Sequence, residues 1–177
     1  MAGSAPISLP SAETLRKLLR YDPETGLLFW RSRGNYAWDR RFSGKRAFTS
    51  QNNSGYFVGG INRKSYVLHR VAWKIVHGED PERIDHVNGD KADNRLCNLR
   101  SVTHQENQKN TPRPKHNKSG VVGVCLDKRS DKWFAQIQVN GKCVNLGLYD
   151  DFSSAVQARK TAEIKFGFHE NHGREAA

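Results

Sequence analysis

The stretch "KNTPRPKHNKSG", Lys109 to Gly120, constrains the chain more than any other. Pro112 and Pro114 remove backbone donors that a helix interior or an inner strand needs, and the cations around them have little to bury. The 177 residues are thereby divided, and neither part is long enough for a sizeable core. The expectation is an α+β protein in pieces: an N-terminal region over 1–55, a central module over 56–110, a linker at 111–118 and a C-terminal module over 119–170.

Local signals fill in these pieces. Ser11 caps a short helix with Leu15, Leu18 and Leu19 on its apolar face, and "DPETG" turns the chain into the strand "LLFW". A basic loop interrupted by glycine is expected next. "YFVGGINRKSYVL" reads as two strands joined near Asn62 and Arg63, followed by a helix over "HRVAWKIVHG" that stops at Gly78. Beyond the prolines, "VVGVCLD", "KWFAQIQVN" and "KCVNLGLY" are three strands, the last two joined by an Asn140-Gly141 turn that accepts positive φ. Asp151 then caps a helix to about Phe166, with Phe152, Ala155, Val156, Ala162 and Phe166 on the face toward the sheet.

Charge indicates the partner. The formal net charge is +11, of which residues 1–84 supply +7, 14 basic side chains against 7 acidic. Arg31, Arg33, Arg40 and Arg41 lie among Trp30, Tyr36, Trp38 and Phe42, a mixture that favours a nucleic acid over a membrane surface. No apolar run approaches the length of a bilayer span, and the opening residues lack the pattern of a signal peptide, so no membrane partner and a cytoplasmic location are expected. Cys97, Cys125 and Cys143 are odd in number and without paired spacing, so free thiols are expected.

Chemistry concentrates in "IDHVNGDKADNRLCNLRSVTHQENQKN", Ile84 to Asn110. Asp85 and His86 end a short strand, a polar loop follows, and a second strand begins near Leu99. Thr103 and Glu106 form a capping box that places Asn107 in the first turn of a helix, with Asn110 one turn on along the same face. One carboxylate and one amide oxygen are hard ligands suited to Mg²⁺ or Mn²⁺, and a neutral imidazole beside them deprotonates water. These are the parts that phosphodiester hydrolysis requires. Asp93 and Asn94 are read as turn caps and His69 as a buried structural group.

At "DH…NG…DNR…NLR…EN" the sequence resembles the HNH endonucleases with a ββα-metal site, in particular the phage-type homing endonucleases. The resemblance runs from Tyr56 to Asn110. It implies His86 as general base, Asp85 and Asn107 as metal ligands, and Asn98, grouped with His86 in the catalytic set, as the residue that ties the loop. The implied substrate is double-stranded DNA, cut to 5′-phosphate and 3′-hydroxyl ends by a monomer or a homodimer.

The module from Ser119 to about Gly167 resembles the APETALA-type domain of plant ethylene-response factors, through "SGVVGV", "KWFAQI", "NGK", "LGLYD" and an Ala-rich helix. The resemblance implies a three-stranded antiparallel sheet that reads DNA, packed on one helix. Strand alternation turns Trp133, Ala135, Ile137 and Val139 toward the helix and Gln136, Gln138, Cys143 and Asn145 outward. Gln136, Gln138 and Asn145 are then candidate base readers, and Lys128, Arg129 and Lys132 candidate phosphate contacts. Amides and thiols stand where the plant pattern has Arg and Trp, so the plant target sequence does not carry over. The same parts would serve a packaging or defence nuclease, and a DNA-binding regulator with an inactive nuclease module is the reading from another class.

Overall fold

The computed structural model describes residues 8–175, apart from the side chains of His104 and Gln105. Helices alternate with small antiparallel sheets, an α+β arrangement. The chain divides into two compact units that meet between Val102 and Thr103.

In the first unit the Ser11 side chain accepts a hydrogen bond from the Thr14 N–H and starts α1 (Ala12–Leu18). The strands β1 (Leu19–Asp22) and β2 (Leu27–Trp30) form a hairpin whose turn is held by Asp22, which accepts from the Glu24 and Thr25 N–H groups. The expected basic loop contains a helix instead, α2 (Tyr36–Phe42). None of its residues is buried, so apolar periodicity gives no signal for it. The Asn35 side chain caps it by accepting from Trp38 N, and the Trp38 ring meets Trp30 edge-on at 5.7 Å.

β3 (Arg46–Ala47) completes a sheet in the order β1-β2-β3. A second sheet has β4 (Ser50–Gln51), β5 (Phe57–Ile61) and β6 (Lys64–Val67) in that order, and Asn62 and Arg63 turn β5 into β6 with φ of 50° and 62°. α3 (Leu68–His77) follows without a break and ends on Gly78, whose φ of 83° is the left-handed stop that glycine favours. Leu15, Leu19, Leu28, Ile61, Leu68 and Val71 form the centre of one apolar core. A last hairpin, β7 (Ile84–His86) with β8 (Leu99–Ser101), encloses a polar loop that ends in a single 3₁₀ turn at Leu96–Asn98.

The second unit opens on α4 (His104–Gln108), where Thr103 and Glu106 make the expected reciprocal capping box. The helix is shorter than expected. Asn110 lies beyond its end, and its amide oxygen accepts from Arg174. The strands β9 (Val124–Asp127), β10 (Lys132–Val139) and β11 (Lys142–Tyr149) form a sheet in the order β11-β10-β9, with the Asn140-Gly141 turn at φ of 51° and 76°. α5 (Phe152–Lys165) starts at Asp151, which accepts from Ser154 N, and covers Val124 and Ala135 with Ala155.

Two sequence expectations change here. The buried face of α5 carries charge: Arg159 and Glu163 are buried and paired at 3.0 Å, and Arg159 also donates to the Gln136 carbonyl within β10. Residues 111–118, expected as a linker with little to hold it, lie inside the second unit. Gly173 N donates to Thr111 O, Arg113 N to Arg174 O, and the Arg113 guanidinium to Gly120 O. The prolines do prevent regular structure there, but the backbone groups beside them find partners on the C-terminal segment.

Candidate active site

In the β7–β8 hairpin Asp85 stands opposite Arg100 and His86 opposite Leu99. Asp85 and His86 are both buried, at 8% and 4% exposure, which is unusual for a carboxylate beside an imidazole. Arg100 donates to Asp85 through Nε at 3.0 Å and Nη2 at 2.6 Å. Both bonds go to Oδ2, so the arginine fixes the carboxylate plane through one oxygen.

The imidazole is fixed from the loop. Asn94 is 3% exposed; its Nδ2 donates to Ala92 O at 2.9 Å, which turns Oδ1 toward His86 Nε2 at 3.3 Å. An amide oxygen facing Nε2 favours the tautomer with the proton there, so in the neutral ring Nδ1 carries the lone pair. Burial holds the His86 pKa below its ordinary value, against opposing pulls from the Asn94 hydrogen bond and Asp85. The ring is therefore neutral near pH 7, the state a base requires.

Asn98 ties the loop that carries these groups. Its Oδ1 accepts from Asn88 N at 2.9 Å and its Nδ2 donates to Asp93 O at 2.7 Å, while Val87 N donates to its carbonyl. Both amide atoms of Asn98 are thus hydrogen-bonded to loop backbone. Asp93 serves the same loop. It pairs with Arg95, which together with backbone N–H donors and Asn88 lowers its pKa to about 2. Gly26 lets the β1–β2 turn approach from the other side: a Cβ there would sit 2.4 Å from the Asn94 carbonyl carbon. The Tyr21 hydroxyl donates to Asn94 O at 2.7 Å between the same two segments.

Behind His86 lies a cluster of rings. His69 meets the His86 ring edge-on at 5.1 Å and Tyr56 at 5.0 Å, and Lys91 stands 5.1 Å over Tyr56. Burial, with help from His86 and Arg70, lowers the His69 pKa to about 3, so it stays neutral. The Tyr56 hydroxyl is pushed up by burial and by Asp85.

Asp85, His86 and Asn98 are thus brought together in the first unit. Sequence reasoning missed Asn94 as the partner of His86, and it missed Arg100. The register Asp85↔Arg100 was implicit in the two expected strands, whereas the reach of Asn94 depends on loop closure. Asn107 is half-buried on α4 in the second unit. An aspartate carboxylate, here paired with Arg100 at 2.6 Å, is the type of oxygen donor that a hard divalent cation takes.

The candidate DNA-binding residues divide similarly. Arg40 and Arg41 are exposed on α2, Arg33 lies 4.1 Å over Trp38, and Arg31 donates to Leu19 O. Lys128 and Arg129 are described on the β9–β10 turn, and Lys132 pairs with Asp150. Gln136, Gln138 and Cys143 line a groove of about 780 Å³ with Lys109, Phe168 and His172, all within the second unit. Gln138 is exposed. A bulge interrupts the β10–β11 register after Ala135, and the exposed Asn145 accepts there from Gly147 N through Oδ1. Gln136 Oε1 accepts from the Cys143 thiol at 2.9 Å.

Comparison with known proteins bears on this hairpin. The HNH endonuclease family model matches residues 66–109, which take in α3, the hairpin and α4. Over 76 residues, 42% of the chain, the sequence is 33% identical to Protein 3.8 of Escherichia phage T7, and it spans 63% of that protein's length. No solved structure matches the chain. Among the described residues no helix is long and apolar enough to cross a membrane.

Proposed function

We propose that the chain is a metal-dependent DNA endonuclease of the HNH type. The observation that carries this reading is the buried Asp85–His86 pair, with the imidazole held by Asn94 so that Nδ1 has the lone pair. In the reaction His86 Nδ1 takes a proton from water as its oxygen attacks phosphorus. The bond from phosphorus to the 3′-oxygen breaks, and that oxygen leaves as a 3′-hydroxyl after gaining a proton, with the phosphate on the 5′ end.

By the motif, Asp85 and Asn107 would be the residues that hold Mg²⁺ or Mn²⁺. When bound, the ion stabilises the charge that builds on the phosphate and leaving oxygen. The second unit supplies DNA recognition in the manner of an APETALA-type sheet, with Gln136 and Gln138 on its outward face, and Lys128, Arg129 and Lys132 at the backbone. Arg31, Arg33, Arg40 and Arg41 add electrostatic affinity from the first unit. A free-standing homing endonuclease is the role these parts suit.

The test is relaxation of supercoiled plasmid by purified protein. Cleavage is expected with Mg²⁺ or Mn²⁺ and not in EDTA, and His86→Ala should lower the rate by about 10²–10⁴ while DNA binding persists. Wild-type turnover in that variant would remove His86 from the mechanism.

A further inference from the structure

The arginines of the first unit differ in what they touch. Arg70, Arg95 and Arg100 lie against carboxylates. Arg20, Arg33, Arg41 and Arg46 lie over aromatic rings, at 4.4 Å from Phe29, 4.1 Å from Trp38, 5.1 Å from Phe42 and 5.0 Å from Phe57. Among the described residues, none of these four forms an ion pair with a carboxylate.

Two of the four belong to one row. On the β1-β2-β3 sheet Arg20 pairs across from Phe29, and Phe29 across from Arg46. Guanidinium, ring and guanidinium therefore follow one another over two strand spacings, about 10 Å. Leu19, Leu28 and Ala47, the neighbours of these residues along each strand, are buried, so alternation turns the row outward. Asp22, the carboxylate on the same face of β1, already accepts from the Glu24 and Thr25 N–H groups.

We propose that this row is a docking face for the phosphate backbone of duplex DNA, built from Arg20 and Arg46 ordered on Phe29 and Phe57. The proposal rests on the nuclease reading and adds a substrate-binding surface that does not involve the Asp85–His86 hairpin. Charge complementarity selects a polyanion, since these guanidinium groups are ordered on rings and, among the described residues, make no ion pair, Asp22 reaching Arg20 only by a longer-range attraction. The rings decide which one. A single-strand binder offers bare aromatic faces to bases, but here the faces are covered by guanidinium groups, so cations and not rings meet the ligand.

The experiment is equilibrium binding of the full chain to a short duplex in EDTA across a range of NaCl concentrations. The double variant Arg20→Gln/Arg46→Gln should reduce the slope of log K against log salt by about 1.8, roughly 0.9 for each phosphate no longer neutralised. Arg20→Lys/Arg46→Lys keeps the charge and should restore most of the slope, which separates the removal of charge from misfolding. Lys64→Gln, an exposed cation on β6, should change it little. An unchanged slope in the Gln double variant overturns the docking face. So does an equal drop from Lys64→Gln, which would mark a diffuse charge effect, or tighter binding of single-stranded DNA through the same residues. Failure of the wild-type protein to cleave with any divalent metal would overturn the nuclease reading alone and leave this measurement standing.

Discussion

Asn94 shows how a single amide can set the state of a buried imidazole. Its Nδ2 is committed to Ala92 O, so its oxygen has one orientation, and that orientation selects the imidazole tautomer of His86. Asn94→Ala should leave the fold intact and lower turnover about ten- to a hundredfold, the range typical of partners that orient a functional histidine. Single-turnover cleavage at saturating metal measures this, and an unchanged rate would return Asn94 to a purely structural role. Asp85 and His86 were legible in the sequence because adjacent strand residues with this chemistry announce themselves. Asn94 was not, since its neighbour Asp93 has the same turn-forming chemistry and only the closed loop separates the two roles. The bulge that engages the Asn145 oxygen likewise has no local signal in the sequence.

Among the elements, those specified by local rules were legible and those specified by distant partners were not. The Asn140-Gly141 hairpin, the Thr103–Glu106 capping box and the glycine stop of α3 are each written within a few residues. α2 escaped because its anchor, Trp38 on Trp30, is aromatic and lies outside the core. The β1–β2 turn is the element on which the candidate site depends most without contributing a reacting group. Gly26 has φ of 71°, and an added Cβ would lie within 2.4 to 2.8 Å of the Asn94 and Arg95 backbone. Gly26→Ala should therefore cost at least about 1–2 kcal/mol for the backbone conformation alone, and the turn must also withdraw from the loop. Chemical denaturation together with cleavage should show both stability and activity reduced. A loss of stability with full activity would mean that the loop does not need the turn.

For the molecule as a whole, the prolines mark irregular backbone, and the two compact units divide between Val102 and Thr103. If residues 111–118 were a free linker, deleting 118–177 would leave a nuclease that still cuts as before. The hydrogen bonds point elsewhere: Lys109 donates to Phe166 O, Arg174 to Asn110, and Gly173 to Thr111 O, so the deletion removes the partners of the segment that follows α4. The truncated protein is expected to need more metal and to cut more slowly, because Asn107 then sits on a frayed helix. A metal titration of both proteins tests this, and identical curves would show that α4 is independent of the C-terminal segment. The same hydrogen bonds also set an order in time. The first unit has all its strands once Val102 is made, whereas the partners of 109–113 lie at Phe166 to Arg174, 64 to 72 residues further on. At about 5–20 residues per second, the ribosome needs roughly 3–14 s more to make them. For that interval Asp85 and His86 are already in the chain while the segment after α4 still lacks its partners, so translation itself separates the completion of the two units.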